Sequence, residues 1–308
     1  MKTRTKTYYF IYLAFLVVVL AGIIFGSFYD FKITSSLYDP SSNFGMIFAS
    51  FGEMPSWILV GLLGVMGVKL FKLTEQKVQK VLFLIAGILL AIISAYRIFN
   101  SMDSQFNGLN WPVYVKIIVA ILIEAVIFAL GYKLINTEDK IMLLKISLLF
   151  ITAFLLQTII LLIIKTFWQR PRYRLIYAGY ESYTALDLFR NWYEPGAGLA
   201  RSLFTNVHKD QFMSFPSGHT AGSMIGVLFF YLPLLNKKTV NSAKTRYIFL
   251  IVAFCFSAVV AFSRLVYGCH YLTDVSFGAL LALTCSFVTP YFILKEGKNV
   301  KVSEDKSL

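Results

Sequence analysis

Charge is what this sequence has least of. Only 15% of its 308 residues are Asp, Glu, Lys or Arg, against about 25% in an ordinary soluble domain. A surface wetted on all sides is therefore excluded, and the 57% hydrophobic content is placed accordingly. Several runs reach the ~20 apolar residues that a spanning helix needs. Cysteine is almost as scarce. Cys255, Cys269 and Cys285 are spaced for neither a disulfide framework nor a metal motif, and two of them lie inside apolar runs, which points to packing. Histidine occurs three times, as His208, His219 and His270. No internal repeat or low-complexity tract is present.

What is there reads as an all-α, polytopic transmembrane bundle of about eight spans. The apolar runs cover residues 8–28, 55–71, 81–99, 112–132, 143–164, 219–235, 247–263 and 273–294. The first is longer than a signal-peptide core and no clear A-x-A site follows it, so an uncleaved helix is expected. A net charge of +13 raises the question of nucleic acid. No continuous basic face exists to hold one, and no nucleic-acid partner is expected. The lysines and arginines instead cluster between spans. They stand at Lys2, Arg4 and Lys6, at Lys72, Lys77 and Lys80, at Lys133, Lys140 and Lys145, at Lys237, Lys238, Lys244 and Arg246, and after the last span at Lys295, Lys298, Lys301 and Lys306. By the positive-inside rule both termini are cytoplasmic. That puts the long segment 165–218 outside although it is basic itself. Long loops translocate largely regardless of charge. Its Trp168, Trp192 and Tyr193 read either as interfacial anchors or as part of an anion site. The organisation expected is four N-terminal spans in 1–142, a core in 143–294 with its outer loop, and a cytoplasmic tail in 295–308.

Three polar constellations fall on that outer side. The first is Lys165-Thr-Phe-Trp-Gln-Arg170-Pro-Arg172, where a helical start would bring Lys165 and Arg172 near one face. The second is Phe215-Pro216-Ser217-Gly218-His219-Thr220, entering the sixth span. Ser217 is placed to cap that helix, whose free N–H groups suit an anion. Gly222 and Gly226 suggest close packing against a neighbouring helix. The third is Ser263-Arg264-Leu-Val-Tyr-Gly-Cys-His270-Tyr-Leu-Thr-Asp274, with His270 and Asp274 one turn apart. A carboxylate there can take the proton of one imidazole nitrogen and leave the other free to react. His208 has no motif around it. Glu124, in the fourth span, is expected to pair with a polar group on a neighbouring helix.

Taken in order on one side of a membrane, Lys165-x6-Arg172, Pro-Ser-Gly-His and Ser263-Arg264-x5-His270-x3-Asp274 resemble the type 2 phosphatidic acid phosphatase family, over about residues 143–294. The second and third motifs match in full. The first departs from the family pattern at Tyr173, where a proline usually stands. The resemblance implies an integral membrane lipid phosphatase working through a phosphohistidine. In it His270 is the nucleophile, Asp274 fixes its tautomer, and His219 is the acid at the leaving oxygen. Lys165, Arg172 and Arg264, with Ser217 and the Gly218 N–H, hold the phosphate oxygens. No carboxylate cluster suited to Mg²⁺ lies nearby, so neither a metal nor another cofactor is expected. The substrate is a lipid phosphate or pyrophosphate taken from the membrane. Undecaprenyl pyrophosphate, phosphatidylglycerophosphate and phosphatidic acid all fit. A phosphotransferase using the same residues, and a non-catalytic lipid-binding or transport protein, are the alternative readings. A soluble vanadium-dependent haloperoxidase, which shares the motif logic by resemblance, does not suit eight spans.

Overall fold

The computed structural model describes residues 2–103 and 111–294, with side chains in all of these except 2–9 and 103. The tail 295–308, part of the segment 100–111, and the side chains of Lys2, Arg4 and Lys6 lie outside that description. Every long element is helical, in the order α1 (Lys2–Leu37), α2 (Asn43–Phe51), α3 (Met54–Leu73), α4 (Lys77–Asp103), α5 (Val113–Leu134) and α6 (Lys140–Trp168). Short helices follow, α7 (Tyr173–Ile176), α8 (Ala185–Leu188) and α9 (Leu199–Leu203), and then α10 (Gly218–Met224). The chain continues from α10 as a 3₁₀ helix (Ile225–Leu235) and ends in α11 (Ala243–Val266) and α12 (Leu272–Ile293). Eight of these units are long and apolar enough to cross a bilayer, and the chain is a multi-pass membrane protein.

Local chemistry accounts for where the helices start. Ser42, Asp139 and Ser242 each accept a backbone N–H from the first turn of α2, α6 and α11. Pro55 opens α3, where its missing N–H costs nothing. The first helix is longer than its apolar run suggests, because it extends past residue 28 to Leu37 and carries Asp30 inward.

Burial sorts the helices. Helix α3 and the α10 unit are central, with Leu59, Val65, Ala221, Ile225 and Leu228 fully or almost fully covered. Helices α1, α4 and α5 turn large apolar side chains outward, among them Phe28, Ile92 and Leu122, as a lipid-facing rim requires. Helix α1 packs along α12, α6 leans on both α3 and α12, and α4 lies tightly on α3. The last contact is backbone on backbone. A Cβ at Gly67 would stand 2.7 Å from the Gly87 Cα, and one at Gly87 would stand 2.8 Å from the Gly64 oxygen.

The basic turns collect at one end of the bundle. There the Asn136 and Thr137 N–H groups donate to the Leu235 oxygen, Lys237 pairs with Glu138 at 2.6 Å, and Lys72 donates to the Tyr132 hydroxyl at 2.5 Å. Replacing Gly67 by Leu should force α3 and α4 apart and lower stability by about 1–3 kcal/mol. Thermal unfolding in detergent would register it, while Leu89→Ala on the exposed face of α4 should leave the transition where it is.

Candidate active site

At the opposite end, the loop after α6 turns inward. Pro171 disfavours a helical residue before it, and Gln169, at φ 45°, closes α6 in the left-handed conformation. Lys165 and Arg172 therefore do not share a helix face, as the spacing alone suggests. Lys165 ends α6 and donates to the Met213 oxygen at 2.8 Å, while Arg172 caps α7 and its N–H donates to the Gln211 oxygen. Between them Arg170 is wholly buried. Its guanidinium reaches Asp274 at 2.6 Å and Asp30 at 2.9 Å, its Nη1 also bonds the Thr273 hydroxyl, and its Nε donates to the Arg190 oxygen. The remainder of the loop folds over this centre around Ile176, Leu188, Ala200 and Phe212. Trp192 ties it to α1 by donating to the Ser27 hydroxyl at 2.8 Å.

His270 lies immediately before α12 and is 1% exposed. Its Nδ1 donates to the Ser214 oxygen at 2.6 Å, which leaves Nε2 as the unprotonated nitrogen. The expectation that Asp274 itself takes that proton is corrected here, because its carboxylate stands 3.9 Å from Nδ1. Asp274 is occupied otherwise. It receives the Ser214 hydroxyl at 2.5 Å, the Tyr271 N–H at 2.9 Å and Arg170. A capping carboxylate belongs to the first turn of its own helix, and that geometry aims it away from the ring. Asp274 thus holds Ser214, and Ser214 holds the imidazole.

The remaining motif residues converge on the same point. Burial, and then the charges of Arg172, Lys165, His219 and Arg264, hold the His270 imidazolium form well below the ordinary value of 6.5. His270 is therefore neutral at pH 7. Arg264 is buried and anchored to the Gly45 oxygen and, at 3.2 Å, to the Ser263 hydroxyl. Ser217 caps α10 by accepting the Thr220 N–H, and its own N–H donates to the backbone carbonyl of Asp274 at 2.9 Å. A Cβ on Gly218 would lie 3.7 Å from Lys165 Cε. A Cβ on Gly278 of α12 would lie 2.3 Å from the Ser217 oxygen, so this turn and α12 meet through a missing methyl.

His219 looks away from the C-terminal helices. Its Nδ1 faces the Glu53 carboxylate at 3.5 Å and its Nε2 meets the Ala49 oxygen at 3.0 Å, both on the α2–α3 turn. His208, by contrast, caps a short turn by accepting the Asp210 N–H. Gly222 and Gly226 do meet neighbours closely, at Ser56 and Pro55. Glu124 accepts the Ser94 hydroxyl at 2.6 Å, the structural pairing expected of it. Among the described residues no group of three or more His, Cys, Asp or Glu side chains is placed to hold a metal ion.

With the motifs gathered at one end of the bundle, the comparison with known families follows. Residues 146–298 match the family model described as PAP2 superfamily. The C-terminal half of the chain is a PAP2 superfamily domain. Members of that superfamily are typically metal-independent phosphatases acting on phosphate esters. The searches of curated proteins and of solved structures found no match. The PAP2 domain begins in α6, so Asp30, Gly45, Ala49 and Glu53 reach its motifs from outside it. Sequence reasoning missed these four, together with Ser214 and Arg170. Only Asp30 carried a usable signal, as a carboxylate at the edge of an apolar run. The Gly45 and Ala49 contacts, and the one between Ser214 and His270, are made by backbone carbonyls, which no motif records.

Arg170→Gln would leave Asp30 and Asp274 buried without a counter-charge, at a cost of about 3–5 kcal/mol. The melting temperature in detergent should fall accordingly. Adding Asp30→Asn to that variant should cost far less than in the wild type, since the two groups form one network.

Proposed function

We propose that this protein is an integral membrane lipid phosphatase that hydrolyses a phosphate or diphosphate monoester of a lipid through a phosphohistidine. The observation that carries the reading is the gathering of Lys165, Arg172 and Arg264 around a neutral, buried His270 whose Nε2 is unprotonated. A neutral imidazole is the nucleophilic form, and fixed cations around it favour a phosphate dianion over any neutral ligand.

In this reading His270 Nε2 attacks phosphorus while Nδ1–H stays on the Ser214 carbonyl. Lys165, Arg172 and Arg264, with Ser217 and the Gly218 N–H, take the non-bridging oxygens, where charge builds in the transition state. His219 protonates the leaving oxygen, with its Nδ1 3.5 Å from the Glu53 carboxylate. The same ring then accepts a proton from the water that attacks the phosphohistidine, releasing inorganic phosphate and regenerating His270. Asp274 is a positioning residue that acts through Ser214. The reacting groups belong to residues 143–294, and residues 1–142 supply groups that position them. Positive-inside logic places both termini in the cytoplasm and the site on the extracytoplasmic side of the cell membrane. The lipid class follows from a site at the end of eight apolar helices, where the phosphate of a membrane lipid lies.

His270→Ala should abolish phosphate release from a panel of lipid phosphates, and EDTA should leave the wild-type rate unchanged. Release that persists in the variant would sink the mechanism. Because burial, and then the charges of Arg172, Lys165 and Arg264, depress the imidazolium form, His270 should titrate below 6.5 when followed by ¹⁵N NMR of the ring. Arg172→Leu removes one of those cations, and the titration should then move upward.

A further inference from the structure

Beyond His219 lies a polar cavity of about 110 Å³, bounded by the α2–α3 turn and the end of α4. One water needs only ~10–15 Å³ on this measure, so a group of several heavy atoms fits. Ser50 and Trp57 line it, and both are buried with no partner for the Ser50 hydroxyl or the Trp57 indole N–H among the described residues. Arg97 and Asn100 complete the wall from α4, with the Arg97 guanidinium 4.4 Å from the centre of the Trp57 ring. An indole N–H and a guanidinium can only donate. Leaving a buried donor unmatched costs about 1–3 kcal/mol. The Glu53 carboxylate also lines the cavity, on the side of His219, whose Nδ1 it faces at 3.5 Å. The donors of Arg97, Trp57 and Ser50 lie on the rest of the wall, which suits a ligand rich in acceptors.

Its position says which anion. In an in-line displacement the leaving oxygen stands opposite His270 Nε2, at His219, and whatever that oxygen carries lies beyond His219. In a lipid diphosphate the next atom is a second phosphorus. We propose that this cavity is a second anion subsite, which holds the leaving-group phosphate of a diphosphate ester through Arg97, Trp57 and Ser50. The inference rests on the phosphatase reading of His270 and narrows its substrate class. The bond from the terminal phosphorus to the bridging oxygen breaks as the bond to Nε2 forms. The His219 proton passes to the bridging oxygen, and the lipid monophosphate departs from the cavity. Ile93, one turn before Arg97 on α4, is an exposed apolar side chain, so the helix that supplies Arg97 also presents a face along which the tail can run into the bilayer.

The test compares a prenyl diphosphate with the matching prenyl monophosphate on the purified full-length protein. The quantity read is the ratio of their kcat/KM values. Arg97→Gln should lower the ratio of diphosphate to monophosphate turnover about tenfold or more. Trp57→Phe keeps the ring under Arg97 and removes only the N–H, and should lower the ratio about three- to tenfold. It also covers the case in which the Arg97 variant fails to fold. A ratio that stays unchanged in Trp57→Phe, whether or not overall activity falls, overturns the subsite. Phosphate release by His270→Ala from either substrate would instead overturn the phosphatase reading beneath it.

Discussion

A guanidinium buried between two carboxylates sets the geometry of the whole motif-bearing end of this protein. Arg170 has no access to water, and neither do Asp274 and, nearly, Asp30. None of the three could stay charged there alone, since the desolvation penalty of an isolated ion exceeds anything packing returns. Each therefore requires the others. Asp30 belongs to the first helix, Arg170 to the loop after the sixth and Asp274 to the last, so one ion cluster registers three distant parts of the chain. Thr273 strengthens it by giving both its N–H and its hydroxyl to Asp30.

From that cluster the order passes to the imidazole in two steps. Asp274 receives the Ser214 hydroxyl, and the Ser214 carbonyl receives the His270 Nδ1–H. Neither step could be made from α12 alone, because a carboxylate committed to capping its own helix cannot also face a ring that precedes it. The PAP2 domain consequently depends on residues it does not contain. Asp30 steadies the network around His270, and Glu53 and Ala49 hold His219. The N-terminal spans are structural partners of the site as well as passengers in the membrane.

How much of this was legible in the sequence depends on what kind of atom makes each contact. The eight spans were visible because apolar runs are long and charge is rare within them. Lys165, Arg172, Ser217, Gly218, His219, Arg264, His270 and Asp274 stood out because their spacing is short-range, and the structure gathers all eight. Arg170 was in plain view within the first motif but resembled any arginine at a helix end. Only the reversal forced at Gln169 and Pro171 sends it inward. The carbonyl contacts of Ser214 and Ala49 are invisible in principle, since every residue has a carbonyl. The small core under the outer loop was hidden because helices of four or five residues have no periodicity to read.

The contact between Gly278 and the Ser217 carbonyl has a consequence for what the site can accommodate. The turn bearing His219 and the helix bearing Asp274 touch main chain to main chain, with no side chain between them to change rotamer. The spacing between that turn and that helix is therefore a fixed gauge. Any adaptation of the site to different occupants has to take place elsewhere, in walls made of side chains.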